Sequence, residues 1–119
     1  MTLLGISLAG AVGCVLRYVL EYAVRRHHPV RRPWATVAAN ILGCAIAGWA
    51  AYRFVGVSDA RTRTIVLTGL CGGLTTFSSA LAIPALLYHE DHRLRAATLV
   101  VTTPLLCALA FVGGVALAH

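Results

Sequence analysis

Residues 69–79 read Gly-Leu-Cys-Gly-Gly-Leu-Thr-Thr-Phe-Ser-Ser, a polar, glycine-broken stretch inside the apolar run 64–88. Hydrocarbon offers no hydrogen bonds, so a backbone that stops being helical there must be buried in protein or line a cavity. Helices broken at mid-membrane depth are a recurring way of building an ion site. The stretch therefore predicts both a membrane fold and the place where its function sits.

Working outward, three further apolar runs cover residues 2–24, 34–55 and 96–118. Each reaches the ~20 residues that a helix needs to cross ~30 Å of hydrocarbon. The chain is 59% hydrophobic and only 12% charged, whereas soluble domains carry about a quarter charged residues. The expectation is an all-α membrane protein, a single four-helix domain over residues 1–119, with the third helix broken near the bilayer centre. The runs use nearly all of the chain and leave no room for a soluble catalytic domain. A cleaved secretory signal is a poor reading of the first run, which has no basic residue ahead of it and is followed by three more spans.

All ten cationic side chains are arginine, and only Arg17 lies inside a span. A net charge of +6 could suggest nucleic acid, but basic loops beside anionic lipid account for it, and no nucleic-acid partner is expected. Loops 25–33 and 89–95 share one side and hold six arginines, against three at positions 53, 61 and 63. That bias predicts external termini. The prolines of loop 25–33 separate the first two helices, and Ser58-Asp59 is a candidate N-cap pair for the third. His89, Glu90, Asp91 and His92 read as a solvated loop rather than a metal box, because nothing pre-organises them. Cys14, Cys44, Cys71 and Cys107 fall one per span without a paired spacing. They read as reduced packing residues, not as a metal or redox site.

Small residues recur every fourth position at Gly5, Ala9 and Gly13, and again at Ala39, Gly43, Ala47 and Ala51. Such ridges let helices approach closely in lipid. Four helices enclose little interior, so an ion path between subunits, and hence an oligomer, is the more natural arrangement.

The polar residues of the spans are few. Asn40 is the only amide side chain in the chain; it suits either an interhelical hydrogen bond or N–H donation to a dehydrated anion. Thr75, Thr76, Ser78 and Ser79 surround Phe77. Single hydroxyls of this kind often bond back to their own helix, but four beside Gly72 and Gly73 form a polar cluster. Carbonyls freed there suit a small hard cation, and the hydroxyls suit an anion. The positive edge of the Phe77 ring offers an anion a contact weak enough to permit exit. Arg17 and Glu21, one turn apart, read as a self-neutralising pair or as vestibule lining. Thr102 and Thr103, before Pro104, are the polar candidates of the last helix. No hydroxyl has a His or carboxylate at its depth to activate it, so an enzyme is not expected.

Together these residues resemble the Fluc (CrcB) family of small fluoride channels. Gly10-Ala11-Val12-Gly13 followed by Arg17-Tyr18 looks like the family's opening motif. Asn40-Ile41-Leu42-Gly43 with Gly48 resembles its second helix, and Gly72-Gly73-Leu74-Thr75-Thr76-Phe77-Ser78 its signature. The resemblance implies an antiparallel dimer in the bacterial inner membrane, with fluoride pathways between subunits and a structural Na⁺ at the two-fold centre. It implies Na⁺ held by the backbone carbonyls of Gly72 and Thr75. It places Asn40, Thr76, Phe77 and Ser78 along the fluoride path, with Thr102 or Thr103 continuing it and Arg17 in a vestibule or structural role. Passive exit of cytoplasmic fluoride is the implied function. One position departs: Ala80 stands where the family carries a second aromatic, on the face shared with Phe77. Some members pair two related chains, so the dimer implied is either a homodimer or a heterodimer. Two alternatives are a proton-coupled multidrug exporter, for which Glu21 is a poor membrane carboxylate, and a non-conducting partner subunit.

Overall fold

The structure is a computed structural model and describes residues 1–27, 32–55 and 60–119. Helix α1 spans Thr2–His27 and α2 spans Arg32–Arg53. The third apolar run contains α3 (Ala60–Thr64), a π-helical stretch (Ile65–Cys71), α4 (Gly72–Leu74) and α5 (Phe77–His89). Helix α6 covers Arg93–Ala118. Four helical segments, Thr2–His27, Pro33–Arg53, Ala60–His89 and Arg93–Ala118, are long and apolar enough to cross a membrane, and no strand occurs among the described residues. At 1.5 Å per residue, the 26 residues of α1 or α6 reach about 39 Å.

Local chemistry sets the helix ends. Arg25, Arg26 and His27 occupy the last turn of α1, where positive charge meets the negative end of the helix dipole. Pro33 falls in the first turn of α2, where its missing N–H has no helical partner to lose. Between α5 and α6 the chain reverses through Asp91, whose φ of 61° is left-handed. The proposed cap at Ser58-Asp59 lies outside the described residues, as do 28–31 of the first loop.

Helix α2 is the centre of the bundle. In its most apolar window 44% of residues are buried, against 6% for α1. The small-residue ridge of α1 lies on the third run: a Cβ added at Gly13 would collide with the Leu70 carbonyl, and one at Gly73 with the Gly10 carbonyl. On α2, Ala39 and Gly43 are buried as the ridge predicts, while Ala47 and Ala51 are half-buried. The close approach of α2 to α6 is made instead through Gly48, over the Phe111 carbonyl, and through Gly114, over the Ala45 carbonyl.

The third run leaves helical geometry at two residues. Thr75 (φ −87°, ψ 152°) and Thr76 (φ −145°, ψ 117°) are extended. Helical backbone bonds serve both sides of them, so these two residues need partners from elsewhere.

Candidate functional site: a cavity at Thr75 and Thr76

Asn40 supplies them for Thr76. The Thr76 N–H donates to Asn40 Oδ1 at 2.8 Å, and Asn40 Nδ2 donates to the Thr76 carbonyl at 3.2 Å. The side chain is only 5% exposed, and the amide reads the extended backbone as a neighbouring strand would. One Nδ2 hydrogen is committed, and the other has no partner among the described residues. Thr76 also caps α5: its Oγ1 accepts the Ser79 N–H at 3.3 Å and lies 3.2 Å from Ser78 Oγ. This satisfies one of the orphan donors at the helix start.

The turn before the extended pair is left electron-rich. Thr75 sends both its N–H and its hydroxyl to the Cys71 carbonyl, at 2.9 Å and 2.8 Å. The Thr75 carbonyl accepts no hydrogen bond among the described residues. The Gly72 carbonyl loses its ordinary donor four residues on, because the Thr76 N–H is turned to Asn40. Gly72 is exposed, with no atom within 4 Å of an added Cβ.

A cavity of about 350 Å³ opens beside this turn, between α2, α5 and α6. Asn40, Thr75, Thr76, Phe77, Ala80 and Thr103 all line it. Phe77 is 80% exposed in the single chain, and Ala80 shares its face. A second void of about 10 Å³, bounded by Asn40, Ala80 and Thr103, continues to Thr36. Beyond it, Thr36 Oγ1 donates to Glu21 Oε1 at 3.4 Å.

The two threonines of α6 part company. Thr102 donates back to the Thr98 carbonyl at 2.7 Å. Thr103 is 7% exposed, yet its hydroxyl makes no hydrogen bond among the described residues and is not sealed from the cavity. Thr103 is therefore the α6 hydroxyl left available to a guest. Ser78 is exposed and does not line the cavity; it reaches it only through the Thr76 hydroxyl.

One expectation is corrected. Glu21 pairs with Arg25, at 3.5 Å, not with Arg17. A carboxylate followed four residues later by a cation is the favourable order on a helix, whereas Arg17 precedes Glu21. Arg17 is half-buried and makes no ion pair or hydrogen bond among the described residues. Cys44 and Cys107, both free thiols, line the larger cavity. Sequence reasoning also passed over Thr36. The available signal was spacing, since Thr36, Asn40 and Cys44 recur every fourth residue on α2.

Residues 4–115 match the family model described as CrcB-like protein, Camphor Resistance (CrcB). The chain belongs to the CrcB family. Its CrcB relatives include a protein of Phocaeicola vulgatus, 40% identical over 80 residues, which cover 66% of this chain and 65% of the relative. Another, from Hahella chejuensis, is 32% identical over 117 residues, 94% of this chain and 90% of the relative. A third, from Salinibacter ruber, is 37% identical over 92 residues, covering 76% and 68%. All three are named fluoride-specific ion channel FluC. The match to the Phocaeicola protein covers less than two thirds of that relative's length.

Proposed function

We propose that this CrcB chain is one subunit of a fluoride-selective channel that lets cytoplasmic fluoride leave passively across the bacterial inner membrane. The observation that carries the reading is the cavity beside the extended Thr75–Thr76 pair. Among apolar neighbours that include Leu81, Leu99, Val100 and Pro104, it gathers an amide, hydroxyls and an aromatic ring, and none of these bears a full charge. Such groups replace part of the hydration of a small anion without trapping it. The names of the relatives supply the ion.

In this reading the third helix is broken near the bilayer centre, since Thr75 and Thr76 lie midway along the 30-residue Ala60–His89 segment. The spare Asn40 hydrogen, the Thr103 hydroxyl and the Phe77 ring edge contact fluoride in turn, with Ser78 and Thr76 relaying a hydroxyl donor. The chain functions as an antiparallel dimer. Support comes from the large apolar side chains left exposed on α1, α5 and α6, among them Leu3, Leu8, Phe77, Leu86 and Leu109, which lipid or a second copy must cover.

A structural Na⁺ at the dimer centre fits the residues present. The Thr75 carbonyl has no partner among the described residues, and the Gly72 carbonyl has lost its helical donor. Oxygen ligands of this type suit a small hard cation. When bound, Na⁺ would neutralise facing carbonyl dipoles and hold two copies in register; Gly72 and Thr75 would be its ligands.

Ala80 favours a second form of the same reading, in which this chain is one half of a heterodimer. One turn along the face of Phe77, position 80 offers a methyl group where a ring edge would otherwise serve the anion, so a path relying on Ala80 conducts poorly. The exporter alternative gains nothing from the geometry, because Glu21 is engaged by Arg25 and Thr36 at a helix end. The test is fluoride efflux from loaded liposomes without a proton gradient, for this chain alone and with a related chain from the same cell. Efflux that required a proton gradient would move the case to the exporter.

A further inference from the structure

Cys44 and Cys107 line one cavity at a level where the anion path does not call for sulfur. They lie one turn beyond Asn40 and Thr103 on parallel helices. At successive turns of α2 and α6, Thr36 and Leu99, then Asn40 and Thr103, then Cys44 and Cys107 line these cavities, and one turn further Gly48 packs against Phe111. That last contact brings the two backbones together, so the thiols just before it are held close by the fold. Both are half-buried, reduced and on the cavity wall.

We propose that Cys44 and Cys107 form a two-thiolate site for one soft divalent cation inside this cavity, and that filling it obstructs the anion path. Only the obstruction rests on the channel reading. Soft thiolate ligands select soft metals over the hard cations suited to carbonyl oxygen. Among the described residues no group of three metal-binding side chains exists, so the site takes a metal content with two ligands in line. Charge then chooses the valence. Two thiols lose two protons as two metal–sulfur bonds form, and a divalent cation leaves a neutral complex. A monovalent cation would leave a net negative charge in a low-dielectric site, which is costly. No electron is transferred, and mercuric ion is the probe of this class.

Titration of the purified Cys14→Ser chain with mercuric chloride keeps the exposed thiol of α1 out of the measurement. X-ray absorption should show one mercury bound by two sulfurs, with two protons released per metal. Cys44→Ser and Cys107→Ser should each reduce this to one sulfur, while Cys71→Ser should not. Cys44→Ala and Cys107→Ala repeat the test should either serine variant fold poorly. Fluoride efflux should fall at least tenfold with the metal bound and return when dithiothreitol removes it. A two-sulfur signal that survives loss of Cys44 or Cys107 overturns the site, and full efflux with the site filled overturns the obstruction. A chain that binds mercury through two sulfurs but passes no fluoride, alone or with its related partner, supports the site and overturns the channel reading alone.

Discussion

At the scale of single residues, Asn40 has two tasks that substitution can separate. It holds the extended Thr76 backbone through both of its amide atoms and has one N–H left for a guest. Asn40→Ala orphans the Thr76 N–H and carbonyl; at about 0.6–1.7 kcal/mol per interhelical hydrogen bond in membranes, stability should fall by roughly 1–3 kcal/mol. Denaturation in mixed micelles measures this. Asn40→Asp keeps the acceptor for the Thr76 N–H but sets a carboxylate oxygen against the Thr76 carbonyl, so it should lower both stability and fluoride flux. A fully stable, fully conducting Asn40→Asp chain would remove Asn40 from both tasks. Thr103→Val is the cleaner probe of the path. Its hydroxyl has no partner to lose among the described residues, so stability should change little while flux drops. Equal flux would take the α6 hydroxyl out of the account. Sequence narrowed this choice to Thr102 or Thr103 and could go no further. The outcome depends on which face α6 turns to the cavity, and on Thr102 returning its hydroxyl to Thr98. Glu21 was ambiguous for the same reason: two arginines stood one turn away, and helix polarity favours the later one.

Among the elements, glycine divides into positions that seat one helix on another and a position that faces nothing. Gly114→Ala drives a Cβ into the Ala45 carbonyl, and backbone cannot yield as a side-chain tip would. Overpacking of this kind costs about 1–3 kcal/mol, and α2 and α6 should separate enough to lower the melting temperature measurably. Gly72→Ala meets no atom within its own chain and has helical φ and ψ of −62° and −38°. The isolated fold should accept it, with a gain of up to about 1 kcal/mol in helix propensity. If Gly72 faces a second copy across a cation, the same substitution should weaken the dimer, as read by cross-linking or light scattering. An undiminished dimer would place Gly72 on lipid instead. The four membrane-length helices were legible in the sequence because apolar runs of that length have few other homes. The glycine-threonine stretch was legible as a polar interruption. The placing of Cys44 and Cys107 on one cavity was not, because it depends on the relative register of α2 and α6, which the Gly48 and Gly114 contacts set and no single-helix pattern contains.

At the scale of the whole molecule, the exposed apolar surface and the arginine distribution govern how the chain sits in its membrane. Six arginines in loops 25–33 and 89–95 against three at positions 53, 61 and 63 predict that those two loops are cytoplasmic. A cysteine placed in loop 25–33 of an otherwise cysteine-free chain should resist impermeant reagents in intact cells. Labelling of half the population would indicate both orientations and argue for a homodimer. The central claim, that the cavity at Thr75 and Thr76 is a fluoride path, is tested most directly by ion efflux from liposomes loaded equally with fluoride and chloride. Potassium and valinomycin carry the balancing charge, and no proton gradient is applied. The account predicts that fluoride leaves while chloride stays, with this chain alone or with its related partner. Retention of fluoride under both conditions, or release of the two ions at equal rates, would contradict it.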